Sequence, residues 1–424
     1  MNIIPMQFNL QRRNNMNKAI VLGGTAAHIA LIEELHKRGF YVILVDYLDN
    51  PPAKKSADIH IQESTMDFDA VLKIAAENKV GLVISSSVDQ ANITATFVNE
   101  KLGLTNPYSY ETACAIADKS VMKKVMMREG IPTTKYHCFE RDESLHGADL
   151  DFPVIVKPVD SCAASGVKKA NNESELSLFF DNARKISRSG KVIVEEYFEG
   201  VEVSAYCFIS NKKAKIIMIS ERLSVIDGEK QVLKCYATIT PPNISEVAIQ
   251  KIEDAATEIA KAFNIDNSPF HIQALVNQND IDIIEFAPRV GGGISFKTIK
   301  MNTGFDIIAA TVDSYLNIPV QVPLVRAKHF YAVNIVYANP GVFSSLQLDD
   351  SLFSNGFIES IYYHKTPGMM VTDEKASGGR IAAFITKGES RKDIIEKTAY
   401  VFEHMDVLDE HGRSIIRKDL RIMK

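Results

Sequence analysis

Hydrophobic positions between residues 18 and 46 follow first a continuous pattern, then a helical one, then a continuous one again. The runs KAIVLGG and FYVILVDY are apolar throughout, as strands are when both faces of their sheet are covered. Between these runs, hydrophobic side chains recur at helical spacing at Ala27, Leu31 and Leu35, and Gly39 suits the C-terminal end of a helix. The pattern predicts a strand–helix–strand unit.

Two further apolar stretches extend this unit. FDAVLKIAAENK has helical spacing, and VGLVISSS, which follows it, has the composition of another buried strand. We therefore predict that residues 17–112 form a doubly wound α/β domain.

After residue 112 the pattern changes to shorter amphipathic segments. TACAIADKSVMKKVMMREG predicts one helix that ends at Gly130. Short strands with hairpin-length gaps follow, which favours antiparallel sheets and an α+β arrangement; they are FPVIVKP, KVIVEEYF, EVSAYCFIS, KAKIIMIS, FHIQALVN and IDIIEFAP. GFIESIYYH, GGRIAAFITKG and SRKDIIEKTAYVFEHM predict a last α+β module. The predicted units after the first domain are 113–190, 191–324 and 325–424.

Composition and charge narrow the class of protein. A chain of 424 residues with 46% hydrophobic and 24% charged residues is typical of globular proteins. The formal net charge of −5, without a Lys/Arg run, argues against nucleic acid as a partner. Five cysteines without CxxC spacing indicate reduced thiols, and no run approaches the ~20 apolar residues of a membrane span. We expect a cytoplasmic protein without a membrane partner.

The turn GGTAAH after the first strand is similar to part of a dinucleotide-binding turn. It has only Gly23 and Gly24 where the GxGxxG pattern needs three glycines, although Asp46 ends the second strand as a ribose-binding acid would. We expect no nicotinamide cofactor here.

The stretch DIIEFAPRVGGG combines a carboxylate, an arginine and a glycine run. Glu285 interrupts a strand-like apolar segment and needs a partner if it is buried, and Arg289 continues the same face if the strand does not break at Pro288. Three consecutive glycines, Gly291, Gly292 and Gly293, would let the backbone approach a ligand closely. A surface salt bridge beside a flexible turn is the alternative interpretation.

Two lysines precede this stretch. Lys119 lies at the start of the predicted helix segment ADKS, and Lys157 ends the apolar strand FPVIVKP. A buried ammonium group is costly without an anion, and phosphate oxygens would serve. The small-residue loop after Lys157, with Ser165 and Gly166, could present hydroxyl and backbone N–H groups to the same phosphates.

Three acidic residues and a glutamine complete the set. Glu195 and Glu196 interrupt a strand at a predicted hinge in VIVEEYFEGVE, where backbone groups could read an adenine edge, and Glu202 could accept from ribose hydroxyls. If residues 278–280 form a three-residue hairpin loop, Gln273 lies directly opposite Glu285. Two oxygen ligands on one face would suit magnesium.

Each residue also has an ordinary structural explanation. Lys119 could be a solvated helix lysine, Lys157 could extend to the surface, the Glu195–Glu196 pair could lie on an exposed edge, and Gln273 could be a core amide bound to backbone. The ordered set is harder to explain in this way.

This ordered set resembles the ATP-grasp superfamily, which includes biotin carboxylase, carbamoyl phosphate synthetase, D-alanine:D-alanine ligase and the L-amino-acid ligases. The resemblance covers residues 17 to 424 and implies a pre-ATP-grasp α/β domain, two ATP-clamping lobes (113–190 and 191–324) and a C-terminal α+β module. It implies ATP and Mg²⁺ (or Mn²⁺) as cofactors. The implied ATP-binding residues are Lys119, Lys157, Ser165, Gly166, Glu195, Glu196, Phe198 and Glu202.

The resemblance also implies roles in metal binding and catalysis. Gln273 and Glu285 would bind the metal ion, and Arg289 would contact the reacting acyl phosphate. Position 273 is usually acidic in the family, although carbamoyl phosphate synthetase also has glutamine there. Ala287 departs further, because the family usually has an asparagine ligand at that position; either water replaces it or metal binding is weaker.

We expect an ADP-forming carboxylate–amine ligase that makes an amide through an acyl phosphate. The three glycines would close around the substrate carboxylate. A bicarbonate-activating enzyme and a non-catalytic ATP-binding module are the alternatives. The expected partners are a small carboxylate and a small amine, whose identities stay open, and a homodimer is compatible with the resemblance. Residues 220–242, with mixed charge, are expected to be a substrate-facing loop.

Overall fold

The computed structural model describes residues 17–145, 150–161, 165–228, 232–322 and 329–420. Its N-terminal domain is a four-stranded parallel sheet in the order β3-β2-β1-β4. The strands are β1 (Lys18–Leu22), β2 (Tyr41–Asp46), β3 (Ile59–Gln62) and β4 (Leu82–Ile84). The helices are α1 (Ala26–Lys37), α2 (Phe68–Asn78) and α3 (Asp89–Leu102), and Pro52–Ser56 forms a 3-10 helix. The predicted doubly wound domain is confirmed.

The Gly23–Gly24 turn is packed against its own chain. A Cβ atom on Gly24 would lie 2.4 Å from Pro51 Cβ, and the Gly24 carbonyl accepts a hydrogen bond from the Ala53 N–H at 3.0 Å. Asp46, which is 7% exposed, accepts a hydrogen bond from the Leu48 N–H at 2.9 Å. These contacts give both glycine and acid a structural role.

The predicted single helix over residues 112–130 is two helices. α4 (Tyr110–Ala117) and α5 (Lys119–Arg128) are separated by Asp118, whose backbone is extended and whose carboxylate accepts from the N–H of Ser120. Aspartate competes with the helical backbone in this way and favours a helix start. Lys119 therefore opens a helix, as predicted.

The first lobe contains a four-stranded sheet in the order β5-β8-β6-β7 with antiparallel pairing. The strands are β5 (Tyr136–Phe139), β6 (Val154–Pro158), β7 (Lys168–Ala170) and β8 (Val192–Glu196), and α6 (Glu173–Ile186) packs on them. The predicted boundary at 190/191 assigned Val192–Glu196 to the second lobe. Its pairing between β5 and β6 places it in the first.

An eight-stranded sheet with antiparallel pairing forms the centre of the molecule, in the order β13-β12-β9-β10-β11-β14-β18-β16. Its strands are β9 (Val201–Ser210), β10 (Lys213–Asp227), β11 (Val232–Thr240), β12 (Ser268–Asn277), β13 (Asp280–Ala287), β14 (Phe330–Tyr337), β16 (Ser360–Tyr363) and β18 (Arg380–Gly388). The expected loop at 220–242 is wrong, because β10 and β11 occupy most of it. Three strands beyond residue 325 continue the sheet of the second lobe.

The remaining elements flank this sheet. A three-stranded sheet contains β15 (Gly341–Leu348), β17 (Met370–Val371) and β19 (Met405–Asp409). The helices are α7 (Glu246–Ala262), α8 (Ser295–Thr303), α9 (Ile307–Tyr315), α10 (Ser351–Ser354) and α11 (Arg391–Glu403), and Ala376–Gly379 forms a 3-10 helix. None of the helices in the described ranges combines the length and apolarity that crossing a membrane requires.

Fully buried His28 makes folding stability sensitive to pH. Its ring nitrogens contact Thr25 Oγ1 at 2.8 Å and Ser85 Oγ at 3.1 Å, and burial lowers its pKa to about 3. As pH falls below about 6.5, His28 becomes protonated in the unfolded chain but stays neutral in the folded chain. The free energy of unfolding should therefore fall by about 1.4 kcal/mol per pH unit because of this residue. Urea unfolding between pH 6.5 and pH 4 should show a shallower pH slope for His28→Gln. His411→Gln, at an exposed position, is the control; equal slopes in all three proteins would contradict the assignment.

Candidate active site

One cavity of about 390 Å³ lies between the eight-stranded sheet and the N-terminal domain. Residues directly opposite one another on neighbouring strands line it, including the pairs Tyr206–His271, Gln273–Glu285 and Arg222–Thr238. The loop after β4 and the first turn of α3 contribute residues 87–90. Ligands of open α/β sheets commonly bind at such carboxyl ends of parallel strands.

Gln273 and Glu285 are directly opposite on β12 and β13, as predicted, but the loop between these strands is not the predicted one. Asn277 pairs with Asp280, so the turn has two residues, and Gln278 takes a left-handed backbone conformation with φ 53°. A bulge at Ile284 then restores the predicted register.

The Gln273 amide fits either of two roles. With its nitrogen towards Glu285, it donates to Oε1 at 2.7 Å while its oxygen accepts from Arg222 at 3.2 Å. Reversing the amide places two oxygens side by side, an arrangement that a cation would stabilise. The Glu285 side chain is 36% exposed towards the cavity, so the two side chains fit a magnesium ion with water and phosphate as its other ligands.

Protein ligands beyond this pair are scarce. Ala287, which is 7% exposed and pairs with His271, offers no side-chain oxygen at the position where the resemblance to ATP-grasp proteins implies an asparagine ligand. Within the described ranges, no cluster of three or more histidine, cysteine, aspartate or glutamate side chains is arranged to hold a metal ion. The site therefore resembles those in which Mg²⁺ keeps several non-protein ligands.

Lys119 projects into the cavity from the start of α5. Its Nζ donates to the carbonyl oxygen of Ser161 at 2.6 Å and lies 3.8 Å from Glu285 Oε2. The side chain is 14% exposed. Lys119 thus lies beside the candidate metal ligand and the loop after β6, where a phosphate-binding lysine is expected.

Arg289 forms a bidentate ion pair with Asp89 in the first turn of α3, at 2.5 and 2.9 Å, and donates to the Val290 carbonyl. Burial alone would raise the pKa of Asp89, but the charge and hydrogen bonds of Arg289 lower it overall. The predicted partner was a reacting acyl phosphate. The ion pair and the bond to the Val290 carbonyl together leave two guanidinium N–H groups for such a ligand.

His271 is a neutral neighbour of this pair. Burial, followed by the charges of Arg289 and Arg222, lowers its pKa to about 3. Its ring lies 5.3 Å from that of Tyr206, centroid to centroid. A neutral imidazole at pH 7 can accept or donate a hydrogen bond without adding charge.

The three predicted glycines differ in their surroundings. A Cβ atom on Gly291 would lie 2.3 Å from the Tyr206 ring, so this residue must be glycine for packing. Gly292 and Gly293 line the cavity, have open space at their Cβ positions, and Gly293 has φ 70°. Only the last two are available to a ligand in the cavity.

Lys157 belongs to a buried network of charges instead of lining the cavity. Its Nζ lies 2.5 Å from Glu195 Oε1, and Lys123 Nζ lies 2.7 Å from Glu195 Oε2. Burial would raise the pKa of Glu195, but the two lysines lower it overall. The anion that balances Lys157 here is thus a carboxylate. Its predicted phosphate contact stays a prediction, and only the backbone of Glu195 is left for an adenine base.

The other predicted ATP-binding residues lie outside the cavity lining. Glu202 pairs with Arg222 at 2.6 Å, and Glu196 lies 3.8 Å from Lys135 Nζ. Phe198 lines a separate surface cavity beside Pro132. Ser165 and Gly166 form a turn in which a Cβ on Gly166 would lie 2.8 Å from the Pro158 ring, and residues 162–164 lie outside the described ranges.

Sequence reasoning missed several residues around the site. It did not indicate that Lys123 is buried beside Glu195. It also did not indicate the charged residues that line the cavity: Asp89, Asp160, Arg188, Arg222 and Arg380. Lys123 follows Lys119 by one helical turn, which is the available signal. Asp160 accepts from the Ser189 N–H at 2.8 Å, and such hydrogen bonds lower its pKa although burial opposes them.

One family model and several known proteins match this chain. Residues 150–297 match the family model of the ATP-grasp domain. The mitochondrial carbamoyl-phosphate synthase [ammonia] of Homo sapiens is 30% identical over 168 residues, which are 38% of this chain; the chain spans only 11% of that protein's length.

Two solved structures are similar over almost the whole chain. The L-amino acid ligase from Bacillus licheniformis has a TM-score of 0.77 at 17% identity, with 93% of this chain and 100% of that chain covered. The biotin carboxylase domain of 2-oxoglutarate carboxylase from Hydrogenobacter thermophilus, solved with MgADP and bicarbonate, has a TM-score of 0.75 at 15% identity, with 95% and 92% covered. The shared ATP-grasp fold is therefore confirmed.

The buried ion pair of Lys123 should stabilise the first lobe. Lys123→Met leaves Glu195 with one lysine instead of two in a site that excludes water, which should cost about 3 kcal/mol. Exposed Lys124→Met is the matched control and should change stability by less than about 0.5 kcal/mol. Urea unfolding measures both, and equal free energies of unfolding would contradict the role given to Lys123.

If Gln273 and Glu285 bind Mg²⁺, substitutions of Gln273 should change how much magnesium raises the Tm of the protein. Gln273→Glu places a second carboxylate beside Glu285, so repulsion should weaken the metal-free protein and magnesium should stabilise the variant more than the wild type. An added response of about 1 kcal/mol corresponds to roughly 2 °C or more in Tm. Thermal unfolding with and without magnesium chloride measures it. Gln273→Met should lose the response, and a response that is equal in all three proteins would place the metal elsewhere.

Proposed function

We propose that this chain, whose residues 150–297 match the ATP-grasp domain model, is an ATP-dependent, ADP-forming carboxylate–amine ligase that makes an amide bond. The observation that carries the proposal is the convergence of Lys119, Gln273, Glu285 and Arg289 on one cavity. A hard-oxygen pair for a metal ion and two cations beside it suit phosphoryl transfer to a carboxylate, because that reaction depends on positioning and on neutralisation of charge. The open backbone at Gly292 and Gly293 leaves room for the carboxylate.

Nucleotide binding would use the end of the cavity near the first lobe. Lys119 and Arg188 are positioned to contact phosphate oxygens; Arg188 donates to the Asp160 carbonyl at 3.1 Å and has no carboxylate within salt-bridge distance among the described residues. Gln273 and Glu285 would hold Mg²⁺. When bound, the ion would neutralise charge on the phosphates.

The proposed reaction has two steps. A carboxylate oxygen of the first substrate attacks the γ-phosphorus, the bond to the β-phosphate oxygen breaks, and ADP leaves. The amine nitrogen of the second substrate then attacks the acyl carbon, inorganic phosphate leaves, and the nitrogen loses a proton. Arg289 would hold the acyl phosphate oxygens through its two remaining N–H groups.

The surroundings of Arg289 support this role. Asp89 fixes the guanidinium plane, and the neutral His271 adds no competing charge. A donor held in place before the reaction stabilises developing charge without reorganisation at that moment. The open backbone at Gly292 and Gly293 would allow the substrate carboxylate to approach this point.

A screen of carboxylate and amine pairs for ADP release tests the proposal. Release that needs both substrates supports the ligase. Release that depends on bicarbonate would identify a bicarbonate-activating enzyme, and ATP binding without turnover would identify a nucleotide-binding module. Either of those results would overturn the proposal.

Substitution of Arg289 distinguishes a catalytic role of this residue from a structural one. Arg289→Ala should lower the rate of ADP release at least 100-fold, about 3 kcal/mol of transition-state stabilisation, while the Kd for ATP changes little. Arg289→Lys should restore only part of the rate, because lysine lacks the planar fork.

Asp89→Asn is the matched control for this prediction. Both variants break the ion pair and should lose stability. Asp89→Asn keeps the guanidinium, an amide oxygen that can accept one of its hydrogen bonds, and the backbone contact between Val290 and Ser86, so it should lose less than about tenfold in rate. If the two variants lose rate and stability in parallel, the ion pair is structural and Arg289 has no part in the reaction.

A further inference from the structure

The end of the cavity away from the nucleotide site contains Arg380, which no sequence motif indicated. Arg380 on β18 lies six strands from Glu285 on β13 in the order of the central sheet. Thr238 and Cys235 on β11 line this end as well, together with His364, which follows β16. This part of the cavity is formed largely by the segment beyond residue 325.

The charge of Arg380 is not balanced within the described part of the chain. Its Nε donates to the Tyr337 hydroxyl at 3.1 Å, and no described carboxylate lies within salt-bridge distance. The other arginines at the centre of the cavity are paired, Arg222 with Glu202 and Arg289 with Asp89. Four N–H donors of Arg380 are therefore left for a ligand.

The surroundings of Arg380 favour one small anion next to an apolar group. Burial, followed by the charges of Arg380 and Lys365, lowers the pKa of His364 to about 4, so this ring is neutral at pH 7 and adds no second positive charge. Val333, Ile335 and Ala383 form an apolar wall beside it. Lys365 is not among the residues that line the cavity, so Arg380 is the unpaired cation that a ligand at this end would meet among the described residues. One guanidinium matches the single charge and the two oxygens of a carboxylate better than the double charge of a phosphate.

We infer that Arg380 binds the free carboxylate of the amine-bearing substrate, which is therefore an α-amino acid with an aliphatic side chain against Val333, Ile335 and Ala383. The inference rests on the proposed ligase function, since it assigns the second substrate of that reaction. The amide product would keep this carboxylate free.

Binding measurements on the full chain test the inference without turnover. The probes are L-alanine, L-valine and L-leucine, each compared with its carboxamide, in the presence of magnesium and a non-hydrolysable ATP analogue. Calorimetry on the wild type should give a Kd at least tenfold lower for the acids than for the amides. Arg380→Gln should reduce this ratio to about one by weakening acid binding alone.

Two further variants guard this test. Arg380→Lys keeps the charge and should keep part of the discrimination, which separates loss of the guanidinium from misfolding. Arg413→Gln is the matched control, because Arg413 is 71% exposed and pairs with Asp409 away from the cavity; it should bind like the wild type. Equal binding of acids and amides by the wild type, or discrimination that survives in Arg380→Gln, would overturn the inference. Tight binding of inorganic phosphate without acid–amide discrimination would overturn the assignment to a carboxylate.

Failure of the ligase proposal would give a different result. Acid-over-amide discrimination that depends on Arg380, without ADP release for any substrate pair, would support the carboxylate site and reject the ligase. ADP release that is as efficient with simple alkylamines as with amino acids would support the ligase and reject the carboxylate site.

Discussion

The ion pair between Arg289 and Asp89 connects the two parts of the molecule that enclose the cavity. Arg289 follows β13 of the central sheet, and Asp89 opens α3 of the N-terminal domain. The Val290 N–H also donates to the Ser86 carbonyl at 3.1 Å, so side chain and backbone tie the same two segments together. The position of Arg289 over the cavity depends on this connection. A fixed guanidinium beside Glu285 and His271 is the feature from which the proposed chemistry follows.

The cations around the cavity differ in how far an acidic side chain balances their charge. Near the first lobe, Lys119 lies 3.8 Å from Glu285 and Arg188 donates to a backbone carbonyl. These contacts leave hydrogen-bonding groups of all three side chains for phosphate and a divalent ion. In the middle, Arg222 and Arg289 are each paired with an acid. At the far end, Arg380 has no acidic partner among the described residues. An elongated ligand set with anionic groups at both ends fits this distribution.

The sequence was informative where chemistry follows from local periodicity. Strand alternation correctly predicted that Gln273 and Glu285 face each other, although a two-residue turn and a bulge produce the register. The same reasoning failed for Lys123 and Lys157. A lysine on a helix usually reaches solvent. Nothing local to residue 157 shows that Glu195, on another strand, neutralises it.

Long-range contacts explain why the sequence did not indicate the other residues around the cavity. Asp89 lies 200 residues from Arg289 in the chain, so no motif could join them. Arg380 reaches the cavity because β14, β18 and β16 extend the second lobe's sheet beyond β11, whereas the sequence suggested a separate module. Residues 220–242 have the composition of a polar loop because successive side chains of β10 and β11 face opposite sides of the sheet, and polar ones among them face the cavity. That alternation also placed Arg222 and Thr238 towards the cavity.

The central claim is that a substrate carboxylate attacks ATP to form an acyl phosphate. The most direct measurement uses a carboxylate substrate labelled with ¹⁸O, together with an amine that supports ADP release, and mass analysis of the inorganic phosphate produced. The account predicts one ¹⁸O atom in each phosphate, because one carboxylate oxygen leaves with the phosphoryl group when the amine attacks. Unlabelled phosphate released together with ADP would mean that water, and not the carboxylate, receives the phosphoryl group, and would contradict the account.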